Sequence, residues 1–214
     1  MTIHQAFALA LQHHQAGRLG DAEAICREIV AEEPRHAHAL HLLGMIAGQA
    51  GRHDVAVDLL RQVIALDPGS AEAHSNLGVA LKEMGRLDEA IAECREAIAF
   101  KPDYPQAHCN LGSALGENGQ LEEALAACRR AIALRPDYPK AYCNLVAALR
   151  AVGRLDEAAA TTRKLIAIQP RLPEAYNYLS SILKDLGQLD EAVSAYRHAV
   201  ALQPDYFEAH GNLV

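Results

Sequence analysis

The chain has 214 residues, 50% of them hydrophobic, with 20 basic and 27 acidic side chains and a net charge of −7. That supplies ample apolar volume for a core, and the lack of any Lys/Arg block argues against a nucleic-acid partner. The apolar runs are short and broken by His, Arg or Glu, so none is expected to span a bilayer. The stretch Met1 to Arg18 reads as no signal peptide, and five cysteines without paired spacing fit a reducing cytoplasm better than a disulfide framework.

Prolines stand at 34, 68, 102, 136, 170 and 204, and glycines at 17, 51, 85, 119, 153 and 187, each series with a spacing of 34 residues. Alanines at 22, 56, 90, 124, 158 and 192 keep the same register. The period divides the chain into units 3–36, 37–70, 71–104, 105–138, 139–172 and 173–206, with a partial unit at 207–214. The expectation is a single array over 1–214. Each unit carries two helical patterns. In the third, Ala71 to Met84 is expected as helix A and Asp88 to Lys101 as helix B, with Gly85-Arg86-Leu87 between them. The glycine ends helix A by taking a left-handed cap conformation. Asp88, Asp156 and Asp190 stand where a carboxylate can accept amide protons at the start of helix B. All nine prolines fall at repeat position 32 or position 1, a helix end or first turn. A helix of about 14 residues is too short to hold alone in water, so each unit must pack on its neighbours.

Helix A carries Leu43-Gly44, Leu77-Gly78 and Leu111-Gly112, followed by Leu81 and Leu115; helix B carries Ala56, Ala90 and Ala124, with Ala97 and Ala131 one face later. With the periodic proline, these residues resemble the tetratricopeptide repeat over nearly the whole chain. The resemblance implies an all-α fold: a right-handed α-α superhelix, or solenoid, of antiparallel helix pairs. Gly78 and Ala90 are expected to let the two helices of a unit approach closely. Val146 and Ser180 replace that glycine in units five and six.

Positions 4, 7, 8 and 11 of helix A share the core side, and positions 2, 5, 6, 9, 12 and 13 oppose it. In the family the second side lines a concave groove that receives a ligand. Position 6 reads Ala8, Leu42, Asn76, Asn110, Asn144, Tyr178 and Asn212, with Asn177 one place early. An amide side chain offers both a donor and an acceptor, so such a row can grip an extended peptide by its backbone. The alternative is that these Asn residues tolerate solvent or bond to the neighbouring helix. Asn76, Asn110, Asn144, Asn177, Asn212 and Lys140 are the candidate peptide-binding residues.

The segments Ala107-His108-Cys109-Asn110-Leu111-Gly112 and Lys140-Ala141-Tyr142-Cys143-Asn144-Leu145 resemble the repeats of O-linked N-acetylglucosamine transferases. The turns Pro102-Asp103-Tyr104-Pro105 and Pro136-Asp137-Tyr138-Pro139 do so too. That likeness implies, as the alternative to a free-standing protein- or peptide-binding scaffold, the substrate-recruiting part of a larger glycosyltransferase whose catalytic domain is absent here. The carboxylate clamp of chaperone-binding arrays fits poorly. Asn110 and Lys140 match it, whereas Ser75, Val79 and Asn144 stand where it needs other residues.

The remaining residues suggest no enzyme and no cofactor. Of eleven histidines, His38 and His41 share a helix face without the third or fourth ligand that zinc needs. His74, His108 and His210 occupy a core-stripe position and read as packing residues. Cys26, Cys94 and Cys128 read as inert core residues, and Cys109 and Cys143 as inner-face residues too far apart for a disulfide. The glycine pairs Gly44/Gly48 and Gly112/Gly116 sit on helices too polar and short for a membrane dimer motif. Because the seventh unit stops at position 8 of 34, the chain is expected to be a fragment whose open end, with Phe207, Leu213 and Val214, could self-associate.

Overall fold

The computed structural model describes residues 1–203. Asn212, His210 and the seventh-unit stub, with the self-association expected of it, lie outside the described residues. Within them are twelve α-helices and no strand. The chain divides into two compact units, Met1–Asn110 and Leu111–Val214. The first holds α1 (Ile3–Gln15), α2 (Leu19–Glu32), α3 (Ala37–Gln49), α4 (His53–Leu66), α5 (Ala71–Glu83), α6 (Leu87–Phe100) and the start of α7 (Pro105–Glu117). The second holds the rest of α7, then α8 (Leu121–Leu134), α9 (Pro139–Ala151), α10 (Leu155–Ile168), α11 (Pro173–Asp185) and α12 (Leu189–Leu202).

Odd-numbered helices are the A helices of the repeats and even-numbered ones the B helices. Each A helix stops in the same way. Gly85, at φ +73°, lets its own amide reach Lys82 O at 2.8 Å and the Arg86 amide reach Leu81 O at 2.9 Å. Two orphan carbonyls are thereby satisfied in a paired C-terminal motif that a side chain at the glycine would strain. The other five periodic glycines also have positive φ.

Helix starts differ from the sequence expectation. The B helices begin one residue earlier, at Leu87, Leu155 and Leu189, so the capping positions fall to Arg86, Arg154 and Gln188, which make no side-chain cap bond. Asp88, Asp156 and Asp190 instead lie inside the first turn, where a carboxylate meets the positive end of the helix dipole. Side-chain caps appear on A helices: Thr2 with Gln5 forms a capping box, while His36 and Ser70 accept from the Ala39 and Ala73 amides at 3.1 and 3.4 Å.

In the first unit Ala10, Ala22, Cys26, Ile29, Ala39, Leu42, Leu43 and Ile46 form one buried cluster, and Leu40, Val63 and Ala73 another. In the second, Tyr142, Leu165 and Ala175 close together. Small residues set the helix spacing. A methyl group added at Gly78 would stand 2.6 Å from Cys94 Sγ and 3.1 Å from Ala90 O, and one at Gly112 would run into Cys128 Sγ.

The position-4 residues do more than pack. His74 stacks on Phe100 with ring centroids 5.6 Å apart, holds Glu93 Oε2 at 2.6 Å through Nδ1, and reaches Pro68 O at 3.0 Å through Nε2. His108 Nε2 reaches Pro102 O at 2.8 Å, and the Tyr142 and Tyr176 hydroxyls donate to Pro136 O and Pro170 O at 3.1 Å. Thus each of these A helices is tied to the carbonyl of the proline that closes the preceding repeat. Histidine in α5 and α7 and tyrosine in α9 and α11 serve the same end, because both carry a hydrogen-bonding group at the end of a flat ring. On the B helices, Arg61 pairs with Glu89 in the first unit, and Arg129 with Glu157 and Arg163 with Glu191 in the second. These pairs are exposed, so water and salt screen them and they add little to stability.

Candidate functional site

The asparagine row is recessed rather than displayed. Asn76, on α5, is half-buried, and its Nδ2 lies 2.8 Å from His41 Nε2 on α3. Asn110, on α7, is 9% exposed and donates to Ser75 Oγ on α5 at 3.0 Å. Each bond spans 35 residues, one repeat plus one place. Position 6 of one A helix therefore meets position 5 of the A helix before it. Asn177 on α11 is buried as well, Asn144 on α9 is half-buried, and Lys140 is exposed in the first turn of α9. The expectation that the whole row and its position-5 neighbours face an open groove is corrected at Ser75, Asn110 and Asn177, which are buried: α3 meets α5, and α5 meets α7, along positions 5 and 6. The same packing buries Cys109, which had been assigned to the inner face. The signal was present in the sequence, since His41 and Ser75 are acceptors placed one residue earlier in the preceding repeat.

Burial also fixes protonation. Loss of water holds the His41 imidazole below its ordinary pKa, against the opposing pull of Glu72 and with a small contribution from His38. Because an amide nitrogen only donates, His41 Nε2 accepts from Asn76, which matches the neutral ring. Glu72 is itself held below the usual carboxylate range, first by its hydrogen bond from Lys101 at 2.7 Å. Burial pushes the Cys26 thiol up to about 11, so it is not an available nucleophile at neutral pH. His36 is occupied as a helix cap, and its ring packs against Phe7 and His38. No cluster of three or more His, Cys, Asp or Glu suited to a metal ion occurs among the described residues.

Two cavities lie beside the asparagines, one in each unit. The first, of about 500 Å³, is walled by Gly44, Met45 and Gly48 of α3, by His53 and Leu60 of α4, and by Asn76, Val79 and Glu83 of α5. The second, of about 230 Å³, is walled by Gly112, Ser113 and Gly116 of α7, Leu121 of α8, and Asn144, Ala147 and Ala151 of α9. Both occupy the same repeat positions, and both open where position 12 is glycine. The other described repeats carry His14, Lys82, Arg150 or Lys184 there. The Gly44/Gly48 and Gly112/Gly116 pairs, which sequence reasoning weighed only as a membrane motif, thus mark recesses between consecutive A helices. Their composition is apolar with a few polar groups, the ordinary make-up of a binding recess rather than of a catalytic centre.

Family models for the tetratricopeptide repeat match residues 4–28, 47–111, 105–138 and 139–164, and a TPR-repeat model matches 181–213. The chain is built of tetratricopeptide repeats. No curated protein matches the sequence. Among solved structures, PilW, a type IV pilus biogenesis factor, is 24% identical with a TM-score of 0.91, covering 99% of this chain and 98% of its own. MamA is 26% identical with a TM-score of 0.69, covering 78% of this chain and 97% of its own. YrrB, described as a TPR protein with an unusual peptide-binding site, is 19% identical with a TM-score of 0.68 over 88% of this chain and 98% of its own. The fold is therefore the all-α helix-pair repeat. No helix among the described residues is long and apolar enough to cross a membrane.

Proposed function

We propose that the chain is a protein- or peptide-binding scaffold that acts by holding an extended segment, without catalysis and without a cofactor, as one repeat array over residues 1–214. The observation that carries this reading is the pair of half-buried amides, Asn76 and Asn144, each on the wall of a recess between consecutive A helices. A backbone presents one donor and one acceptor per residue, and an amide side chain can meet either. The peptide-binding description of YrrB supports the class of ligand. Asn110 and Asn177 are buried and contribute by holding helices in place, Lys140 offers an exposed cation at the edge of α9, and Asn212 belongs to the row by its repeat position. A cytoplasmic location is part of the same reading. The finer likeness to O-linked N-acetylglucosamine transferase arrays rests on the sequence segments quoted above alone.

The test is selection from a phage-displayed library of random dodecapeptides on the purified chain, followed by titration of a selected peptide against Asn76→Ala/Asn144→Ala. Weaker binding at an unchanged far-ultraviolet circular dichroism spectrum is expected. Failure to enrich any peptide, or equal affinity for the double variant, would remove the reading.

A further inference from the structure

The larger recess has features that backbone gripping does not explain. Its walls are mostly apolar: Met45, Ala56, Leu60, Val79 and Ala80 face it, and Gly44 and Gly48 contribute no side chain. At about 500 Å³ it exceeds what one peptide carbonyl or amide needs. Its polar side chains are few: Asn76, His53, Gln49, whose amide can donate or accept, and Glu83. Asn76, on the wall, spends its amide nitrogen on His41, so what it has left to offer a ligand is its Oδ1 acceptor. His53 lines it with a buried Nδ1 that has no hydrogen-bond partner. Glu83, paired with Lys82 at 2.9 Å, is the one formally charged side chain among the lining residues. A ligand matched to this wall carries apolar bulk, donates a hydrogen bond, and bears no negative charge close by.

We propose, building on the peptide-binding reading, that the α3–α5 recess is a specificity pocket that seats one large apolar side chain of the bound peptide, next to a basic residue. The apolar side chain fills the space beside Met45 and Val79, and its backbone N–H donates to Asn76 Oδ1. Glu83 is shared with Lys82, but its carboxylate is the charge that lines the recess while Lys82 does not, so it favours a cationic neighbour over an anionic one. Gly48 is the gate. A Cβ there would meet only Ala56 Cβ, at 3.9 Å, an ordinary contact, so a longer side chain at this position enters the recess rather than the helix packing. Lys82 shows that the repeat tolerates a long side chain at the equivalent place.

The experiment uses the full chain labelled with ¹⁵N and with ¹³C at methionine methyl groups. It is titrated with the capped amino acids N-acetyl-leucinamide and N-acetyl-aspartamide, and with the capped dipeptides acetyl-leucyl-lysinamide and acetyl-leucyl-glutamic acid amide. Saturable shifts at the Met45 methyl and the Gly44 and Gly48 amides are expected with the leucine compounds and not with N-acetyl-aspartamide, the lysine dipeptide binding more tightly than the glutamate one. Gly48→Lys should weaken leucine-compound binding about tenfold or more, the factor that follows from losing the burial of a Leu-sized side chain. Gly48→Ala, the control for folding, should keep it. Absence of saturable shifts in the wild type, equal binding by Gly48→Lys with a wild-type melting curve, or no preference between the dipeptides would overturn the pocket as stated. Saturable shifts without any peptide enriched from the phage library would instead overturn the proposed function and leave the pocket's preference standing.

Discussion

The two recesses are built from the same repeat positions, yet the one in the first unit is about 500 Å³ and the one in the second about 230 Å³. Their floors differ. Under Gly44 lies Leu60, a flexible side chain whose Cγ would stand 3.0 Å from an added methyl group. Under Gly112 lies Cys128, fully buried and so close that the helices meet almost backbone to backbone, with Cys128 N at 3.3 Å and Ala124 O at 3.4 Å from the same added methyl. A smaller residue at the floor draws the helix pair together, and in the second unit Leu121 lines the recess where the first has His53. Small-residue spacing thus has two opposite results: glycine at position 8 closes a gap within a repeat, and glycine at position 12 opens one between repeats.

The largest effect that would sharpen this contrast is at position 8. Gly112→Val should overpack the Cys128 contact and cost about 1–3 kcal/mol, read as a lower denaturant midpoint. Gly44→Ala, whose methyl meets the movable Leu60 side chain at 3.0 Å and Leu59 Cβ at an ordinary 3.6 Å, should cost clearly less. Equal losses would break the distinction between the floors. Next is the tie between A helices. Asn110→Ala removes the buried bond to Ser75 and should cost about 0.5–1.5 kcal/mol of stability. A melting curve identical to wild type would mean that the bond contributes nothing. At position 12 the sign reverses. Gly48→Ala and Gly116→Ala meet only Ala Cβ atoms, at 3.9 and 4.0 Å, so each should stabilise its helix by about 0.5–1 kcal/mol.

The smallest effect separates the units by pH. The folded His41 binds a proton less readily than the unfolded chain does, so its contribution is complete above the ordinary histidine value of 6.5 and is lost as pH falls through its lowered folded pKa. Urea midpoints should begin to decline below that value in the wild type and stay flatter in His41→Gln. The position-5 residues of the later full repeats are Ser75, Cys109, Cys143 and Asn177, so the second unit supplies no counterpart of His41. A further decline, from Glu23, Glu72 and Glu89, whose carboxyl groups are all held low by basic partners, belongs below the ordinary glutamate value of 4.5.

The 34-residue period, the glycine stops, the proline positions and the close approach at Gly78 were all legible in the sequence, because each depends on local backbone conformation or on side-chain size at a fixed place in a short repeat. Helix starts were misplaced by one residue because a leucine can begin a helix without a capping side chain, its entry set by packing rather than by local bonding. The asparagine row was found, but its depth was not: whether an amide at position 6 meets solvent or the preceding helix depends on how closely consecutive A helices approach, a distance no single repeat contains. The recesses were hidden for the same reason. Glycine at position 12 reads alone as a weak point in a helix, and it becomes a cavity only where the next A helix passes over it. The sequence by itself determined what repeats and where each helix ends, because those are matters of local geometry. The tertiary structure decided which polar groups are spent between repeats and which face a recess, because that follows from packing between segments one period apart.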